Sequence, residues 1–228
     1  MFVWLVTWIS AKEYERKIVD GAHKLRHIKP DQFDGFIAET FAKERADLAP
    51  QFARTMKEMK STWLRQFRLR YLLAKITQAV DIQAYGPSES RDRLADYTAG
   101  GNDIEHIMAA GADAEAVAEF GERAQDDAVI QSLGNLLLIE KSINRSISNT
   151  RYSEKVKGYA QSKFLLTRCQ ADAQAQLVGV ADQITKTVQA LECWPKWSME
   201  DVEARQLFLT KLACRVWDVP TIDEVIPV

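Results

Sequence analysis

Apolar positions recur along this chain mostly at helical spacing, and only two short runs depart from it. Ser10-Ala-Lys-Glu13 has the spacing of a capping box and opens a helical run that Pro30 closes. Asp31 is placed to cap a second helix, in which Phe33, Phe36, Ile37 and Phe41 recur on one side. Pro50 fits the first turn of a third. Ser61 precedes a long segment holding Trp63, Leu64, Phe67, Leu69, Leu72, Leu73, Ile76 and Val80. That segment is apolar enough for a central helix, and Gly86-Pro87-Ser88 breaks it. Helices are predicted again over 113–132, 153–166 and 172–192. A last one opens at Ser198-Met-Glu-Asp201, with Val202, Leu209, Ala213 and Val216 on one face.

The two exceptions read as strands. After a polar connection over 88–102, Ala99-Gly100-Gly101-Asn102 is a turn signal, and Ile104-Glu105-His106-Ile107 follows it. Alternation sends Ile104 and His106 one way, Glu105 and Ile107 the other. The second run is Gly134-Asn135-Leu136-Leu137-Leu138-Ile139, followed by a short helical piece that carries Asn144.

Composition changes this picture in three places. With 228 residues, 46% of them hydrophobic, the chain can bury one good core or two small ones. The formal charge of −2 offers no global attraction to nucleic acid, but the charges are unevenly spread. Residues 103–127 hold eight acids against one base, 141–168 seven bases against one acid, and 54–75 seven bases against one acid. The basic run 54–75 reads as a solvated helix face, whereas 141–168 adjoins the two strands and reads as a phosphate-facing surface. Cys169, Cys193 and Cys214 are too scattered for a disulfide framework or a zinc knuckle, which predicts a reducing cytoplasm. His23 and His27 lie four apart on a predicted helix, but no carboxylate or Cys cluster accompanies them as a metal site. The apolar opening Met1–Ile9 lacks a basic flank and is too short to span a bilayer, so it predicts a buried helix or strand.

Taken in order, the polar residues at the strands are His106, Asn135 and Asn144. Phosphodiester hydrolysis needs a base to activate water and a cation to stabilise the phosphate and its leaving 3′-oxygen. A neutral imidazole suits the first task, since its ordinary pKa is roughly 6.5. Glu105 and Asn144 offer hard oxygen atoms of the sort that Mg²⁺ or Mn²⁺ takes. A strand bearing the base and a following helix bearing a metal ligand is the ββα-metal layout. On spacing alone the plainer reading competes: His106 caps a turn, and the two asparagines end a strand and a helix.

Longer phrases weigh against the plainer reading. Ile104-Glu-His-Ile-Met-Ala109, Ser132-Leu-Gly-Asn-Leu-Leu-Leu-Ile139, the run from Ser142 through Lys155 to Ser162, and Trp197 through Val219 occur in this order. Together they resemble the C-terminal domain of GmrSD-type modification-dependent restriction endonucleases, a group of HNH or His-Me finger nucleases, over roughly residues 60–220. The resemblance implies a mainly α fold with a small ββα-metal insertion, with residues 61–228 as the nuclease domain. Residues 1–60 would be a helical connector from an N-terminal half. His106 would be the general base, and Asn135 would brace the loop bearing it. Glu105 and Asn144 would be metal ligands, with Asn149 a rival to Asn144. Lys155, Lys157, Arg145 and Arg151 would face phosphate. Ala109 stands where the family usually has Pro, which removes a fixed φ but no chemical group. The family's N-terminal nucleotide-hydrolysing motif does not occur in this sequence.

The function implied is metal-dependent cleavage of DNA, modified DNA included, in restriction or phage defence, with Mg²⁺ or Mn²⁺ as cofactor. An NTPase subunit or N-terminal half would be supplied separately, covering Met1–Ile9. The alternatives are a DNA-binding or assembly module that has kept the fold without cleavage, and a purely structural helical protein.

Overall fold

The computed structural model describes residues 2–7, 10–172 and 182–220. It divides into two compact units, Met1–Glu58 with Thr210–Val228, and Met59–Leu209.

In the first unit, α1 (Phe2–Val6), α2 (Ala11–Leu25) and α3 (Phe33–Glu58) are helices. The Ser10 hydroxyl caps α2 by accepting from the Glu13 N–H at 3.2 Å. Phe2, Val3, Trp4 and Val6 are buried, as are Ala49, Phe52, Ala53 and Met56 of α3. Phe2 stacks on Trp217 at 4.4 Å. These four side chains of the apolar opening are therefore covered inside their own unit; Met1, Trp8 and Ile9 lie outside the described residues. Two expectations are corrected here. Pro30 opens a 3-10 turn, Pro30–Gln32, with Lys29 at its cap, so Asp31 lies inside the turn. Pro50 does not begin a helix; α3 runs through it. Pro50 itself is exposed, and the bond its missing N–H would make is offset by burial of Ala49, Phe52, Ala53 and Met56 around and after it.

The second unit is built on α4 (Gln66–Tyr85), which buries Leu69, Leu72, Leu73, Ile76 and Val80 and ends at Gly86 with φ 74°. The connection that follows is more ordered than its polarity suggests, with α5 (Glu89–Asp92) and α6 (Leu94–Thr98). Tyr97 of α6 is buried because its hydroxyl reaches Asp81 of α4 at 3.0 Å.

Next come β1 (Asn102–His106), α7 (Ala114–Phe120), α8 (Asp127–Ile130) and β2 (Leu136–Glu140). The strands pair antiparallel, with Asn102 opposite Glu140 and His106 opposite Leu136. The single helix predicted over 113–132 is two, because Gly121 at φ 88° stops the first. β2 is buried along Leu136–Ile139, so it lies within the core of this unit.

α9 (Lys141–Ile147), α10 (Tyr152–Tyr159), α11 (Leu165–Arg168), α12 (Asp182–Gln189) and α13 (Met199–Val216) complete the chain. The helix predicted over 153–166 breaks after Tyr159. Glu140 accepts there from the Ser162 hydroxyl at 2.8 Å and the Lys163 N–H at 2.7 Å, which turns the backbone away from helix. Of the helix predicted over 172–192, residues 173–181 lie outside the described residues. α13 begins where predicted, with Ser198 and Asp201 bonded to each other and Val202, Leu209 and Ala213 buried. The protein is thus mainly helical with one small two-stranded antiparallel sheet. Among the described residues, no helix is long and apolar enough to cross a membrane.

Candidate active site

β1 delivers His106 at its last position, and two neighbours fix the backbone on either side. Asn135, fully buried, brackets the residue two beyond His106. Its Oδ1 accepts from the Met108 N–H at 2.8 Å, and its Nδ2 donates to the Met108 carbonyl at 2.8 Å. Its own carbonyl accepts from the Ile107 N–H at 2.9 Å. The same side chain also donates to the Ile130 carbonyl at 3.0 Å and accepts from Trp197 Nε1 at 3.2 Å. Both N–H donors of the amide and its oxygen are engaged in holding the chain around Met108.

Lys155 makes the second clamp, from α10. Its ammonium donates to Glu105 Oε1 at 2.6 Å, to the His106 carbonyl at 2.9 Å and to the Ile107 carbonyl at 3.1 Å. An ammonium has three donors, and all three are used on consecutive residues of the strand end. Lys155 is fully buried. The expectation that it contacts phosphate is therefore corrected: no N–H remains for a phosphate, and solvent does not reach it. Tyr159, one turn further along α10, donates to the same Glu105 oxygen at 3.2 Å.

The turn before β2 is held from behind. A Cβ on Gly134 would lie 2.2 Å from the Val202 carbonyl oxygen and 2.9 Å from the Gln206 nitrogen, so only glycine lets α13 approach so closely. Arg205 of α13 is buried and donates to the Gly134 carbonyl at 2.7 Å, the Leu136 carbonyl at 2.6 Å and Gln170 Oε1 at 3.0 Å. Burial lowers the Arg205 pKa to about 10.

In front of this scaffold lies a cavity of about 360 Å³. Glu105, His106, Asn144, Arg145 and Asn149 line it, together with Ile104 and the Ala109–Gly111 turn. Asn144 Nδ2 lies 3.5 Å from Asp103 Oδ2. Gly111 faces Asn149, where a Cβ would come within 3.1 Å of the amide nitrogen. Desolvation first, and the Lys155 charge second, hold the His106 imidazole below its ordinary pKa, which favours the neutral form. Desolvation raises the Glu105 carboxyl, against the pull of Lys155 and Tyr159.

The predicted residues thus divide into three groups. Glu105, His106, Asn144 and Arg145 share the cavity, and so does Asn149. Asn135 and Lys155 stand behind it. Arg151 and Lys157 are engaged with acids instead: Arg151 pairs with Glu115 at 3.3 Å and Glu154 at 3.5 Å, and Lys157 with Glu154 at 2.5 Å. His23 and His27, both exposed, stay outside any such group, with ring centroids 5.8 Å apart.

A family model for the C-terminal domain of GmrSD restriction endonucleases matches residues 49–212. The chain belongs to that family. Comparison with curated proteins and with solved structures gives no match. The GmrSD family is one of restriction endonucleases, which puts this chain among nuclease-type hydrolases and implies DNA as the substrate.

Among the described residues there is no group of three His, Cys, Asp or Glu side chains suited to a metal ion. What the cavity does present is one carboxylate with Asn144 and Asn149 amides beside it. Those oxygen donors fit a hard cation that keeps several water ligands, as Mg²⁺ does, and do not fit a soft one.

Arg205, Gln206 and Trp197 support the site without having been singled out by the sequence. Arg205 carried a readable signal: it shares the helical face of Val202 and Leu209, where a charge is expected to be buried and bonded.

Proposed function

We propose that this chain is a metal-dependent DNA endonuclease of HNH type, with β1, β2 and α9 forming its ββα element. The observation that carries this reading is the shared cavity: a half-buried imidazole whose pKa burial lowers, a carboxylate and two amides line one space of about 360 Å³. His106 takes a proton from the water that attacks phosphorus, as the P–O3′ bond breaks. Asn135 and Lys155 hold the strand end so that the imidazole keeps its direction. Glu105 and Asn144, or Asn149 in its place, would hold one Mg²⁺ or Mn²⁺. When bound, that cation would stabilise charge on the phosphate and on the leaving oxygen. Arg145 lies at the rim of the cavity and faces an incoming phosphate.

An NTPase subunit or N-terminal half, and a preference for modified DNA, belong to the same proposal; the family relationship motivates both. The test is plasmid nicking by the purified chain with Mg²⁺, Mn²⁺ or EDTA, beside His106→Ala. Nicking that needs metal and His106 is expected. A chain that binds DNA but nicks with neither metal would leave the binding-module alternative in its place.

A further inference from the structure

Both basic runs of the sequence keep cations that form no ion pair among the described residues: Lys141, Arg145 and Lys163 in one, Lys60, Arg65 and Arg68 in the other. In 141–168, Lys155 is buried on Glu105, and Arg151 and Lys157 are paired with acids. From 59 to 80 there is no acidic residue at all. Between Lys60, Arg65 and Arg68 stand two exposed aromatic rings, Trp63 at 39% and Phe67 at 63%. The Arg68 guanidinium lies over the Phe67 ring at 5.6 Å. Arg65 and Arg68 repel one another with no acid bonded to either, and Lys60 feels the charge of Asp126. An exposed phenylalanine gains nothing from water; a polyanion that carries flat rings and sugars relieves both the repulsion and the exposure.

The position of this surface is as informative as its chemistry. Arg70, one helical turn beyond Phe67 on α4, donates to the carbonyl of Asn102 at 2.5 Å. Asn102 opens the strand that ends in His106. The second guanidinium nitrogen of Arg70 lies 4.0 Å from Asp103, and Asp103 meets Asn144 at the cavity. One side chain therefore ties the exposed patch to the base-bearing strand.

We propose that Lys60, Trp63, Arg65, Phe67 and Arg68 form a second DNA-contact surface, holding duplex that flanks the scissile phosphate. The cations meet phosphates, and the two rings pack on sugars or bases at a frayed or distorted step. The inference takes its ligand from the nuclease reading above, but binding can be measured without cleavage. The probe is a fluorescein-labelled duplex of about two helical turns, followed by anisotropy in EDTA over a range of salt.

Arg65→Gln with Arg68→Gln is expected to weaken binding roughly tenfold and to reduce the steepness of log K against log salt by about two. Phe67→Ala is expected to weaken it several-fold with the salt slope unchanged. Lys12→Gln with Arg16→Gln, the same change of charge in the other unit, is the control and should bind as wild type. Lys12, Arg16, Arg65 and Phe67 are exposed and Arg68 is half-buried, and unchanged thermal melting confirms that the fold is kept. Patch variants that bind as wild type, or a control that loses as much, overturn the surface. So does a wild-type chain that binds no DNA. Binding through the patch without nicking in any metal keeps the surface and removes the nuclease reading; nicking by patch variants with wild-type affinity does the reverse.

Discussion

Lys155 and Glu105 meet at 2.6 Å inside the protein, and the ammonium that neutralises the carboxylate also holds the two carbonyls that follow it. The pair thus joins charge compensation to backbone placement. Removing one partner leaves the other buried and alone. Lys155→Met is expected to destabilise the protein by about 3–5 kcal/mol, whereas Lys155→Met with Glu105→Gln should cost less than Lys155→Met alone. Urea denaturation of the single and double variants measures the difference. Equal losses would mean that the pair is not the source of the effect.

His106→Ala should lower cleavage by about 10²–10⁴-fold, the usual cost of losing a general base, with little change in melting temperature. Asn135→Ala should show the opposite balance. It strips buried partners from Met108, Ile130 and Trp197, each costing on the order of 1–3 kcal/mol where no water replaces it. Parallel melting curves and nicking rates for the two variants separate chemistry from positioning.

Gly134→Ala is expected to fail to fold or to lose about 3 kcal/mol or more, since its methyl group meets the Val202 carbonyl at 2.2 Å. A backbone atom cannot swing aside as a side chain can. Circular dichroism on heating shows the result, and wild-type melting would contradict the close approach of α13 to this turn.

Asp81 gives the stability a pH dependence of definite sign. Burial raises its carboxyl from 3.8 to about 6, outweighing the bonds from the Leu165 N–H at 3.0 Å and the Tyr97 hydroxyl at 3.0 Å. Between those two values the folded protein holds a proton that the unfolded chain has released. The contribution of this group to stability is therefore full below pH 4 and falls as pH rises towards 6, by about 2–3 kcal/mol in all. Asp81→Asn keeps an acceptor for Leu165 and cannot ionise. The stability difference between wild type and Asp81→Asn should shift in favour of the variant from pH 4 to pH 7, read by urea denaturation at both ends. Curves that move in parallel would remove Asp81 as the cause.

Much of this arrangement was legible in the residues, and its failures have physical causes. Long amphipathic segments gave α4 and α13, because burial of one face requires that spacing, and a capping box gave the start of α2. The two strands were marked by apolar runs beside glycine-bearing turns. What local pattern could not supply was partnership across the chain. Lys155 reads as a surface base because its neighbours Ser153, Glu154 and Lys157 are polar, and only the fold reveals that it points inward at residues fifty positions earlier. Helix breaks after Phe120 and Tyr159 depend on a positive φ at Gly121 and on bonds from Glu140, neither visible to periodicity. Pro50 misled for a related reason: packing of Ala49, Phe52, Ala53 and Met56 prevailed over its local preference.

The supports of the base-bearing strand come from late in the chain. His106 is made early, but its carbonyl waits for Lys155, the amide that brackets its loop waits for Trp197, and the turn before β2 waits for Arg205. Contacts spanning such separations close slowly and close last. On the ribosome, a chain that stops short of α13 would carry every lining residue of the cavity yet lack the guanidinium that holds the turn before β2. Whatever chemistry the cavity performs, its scaffold is complete only once Arg205 has been made, and a polypeptide cut short before α13 lacks that clamp.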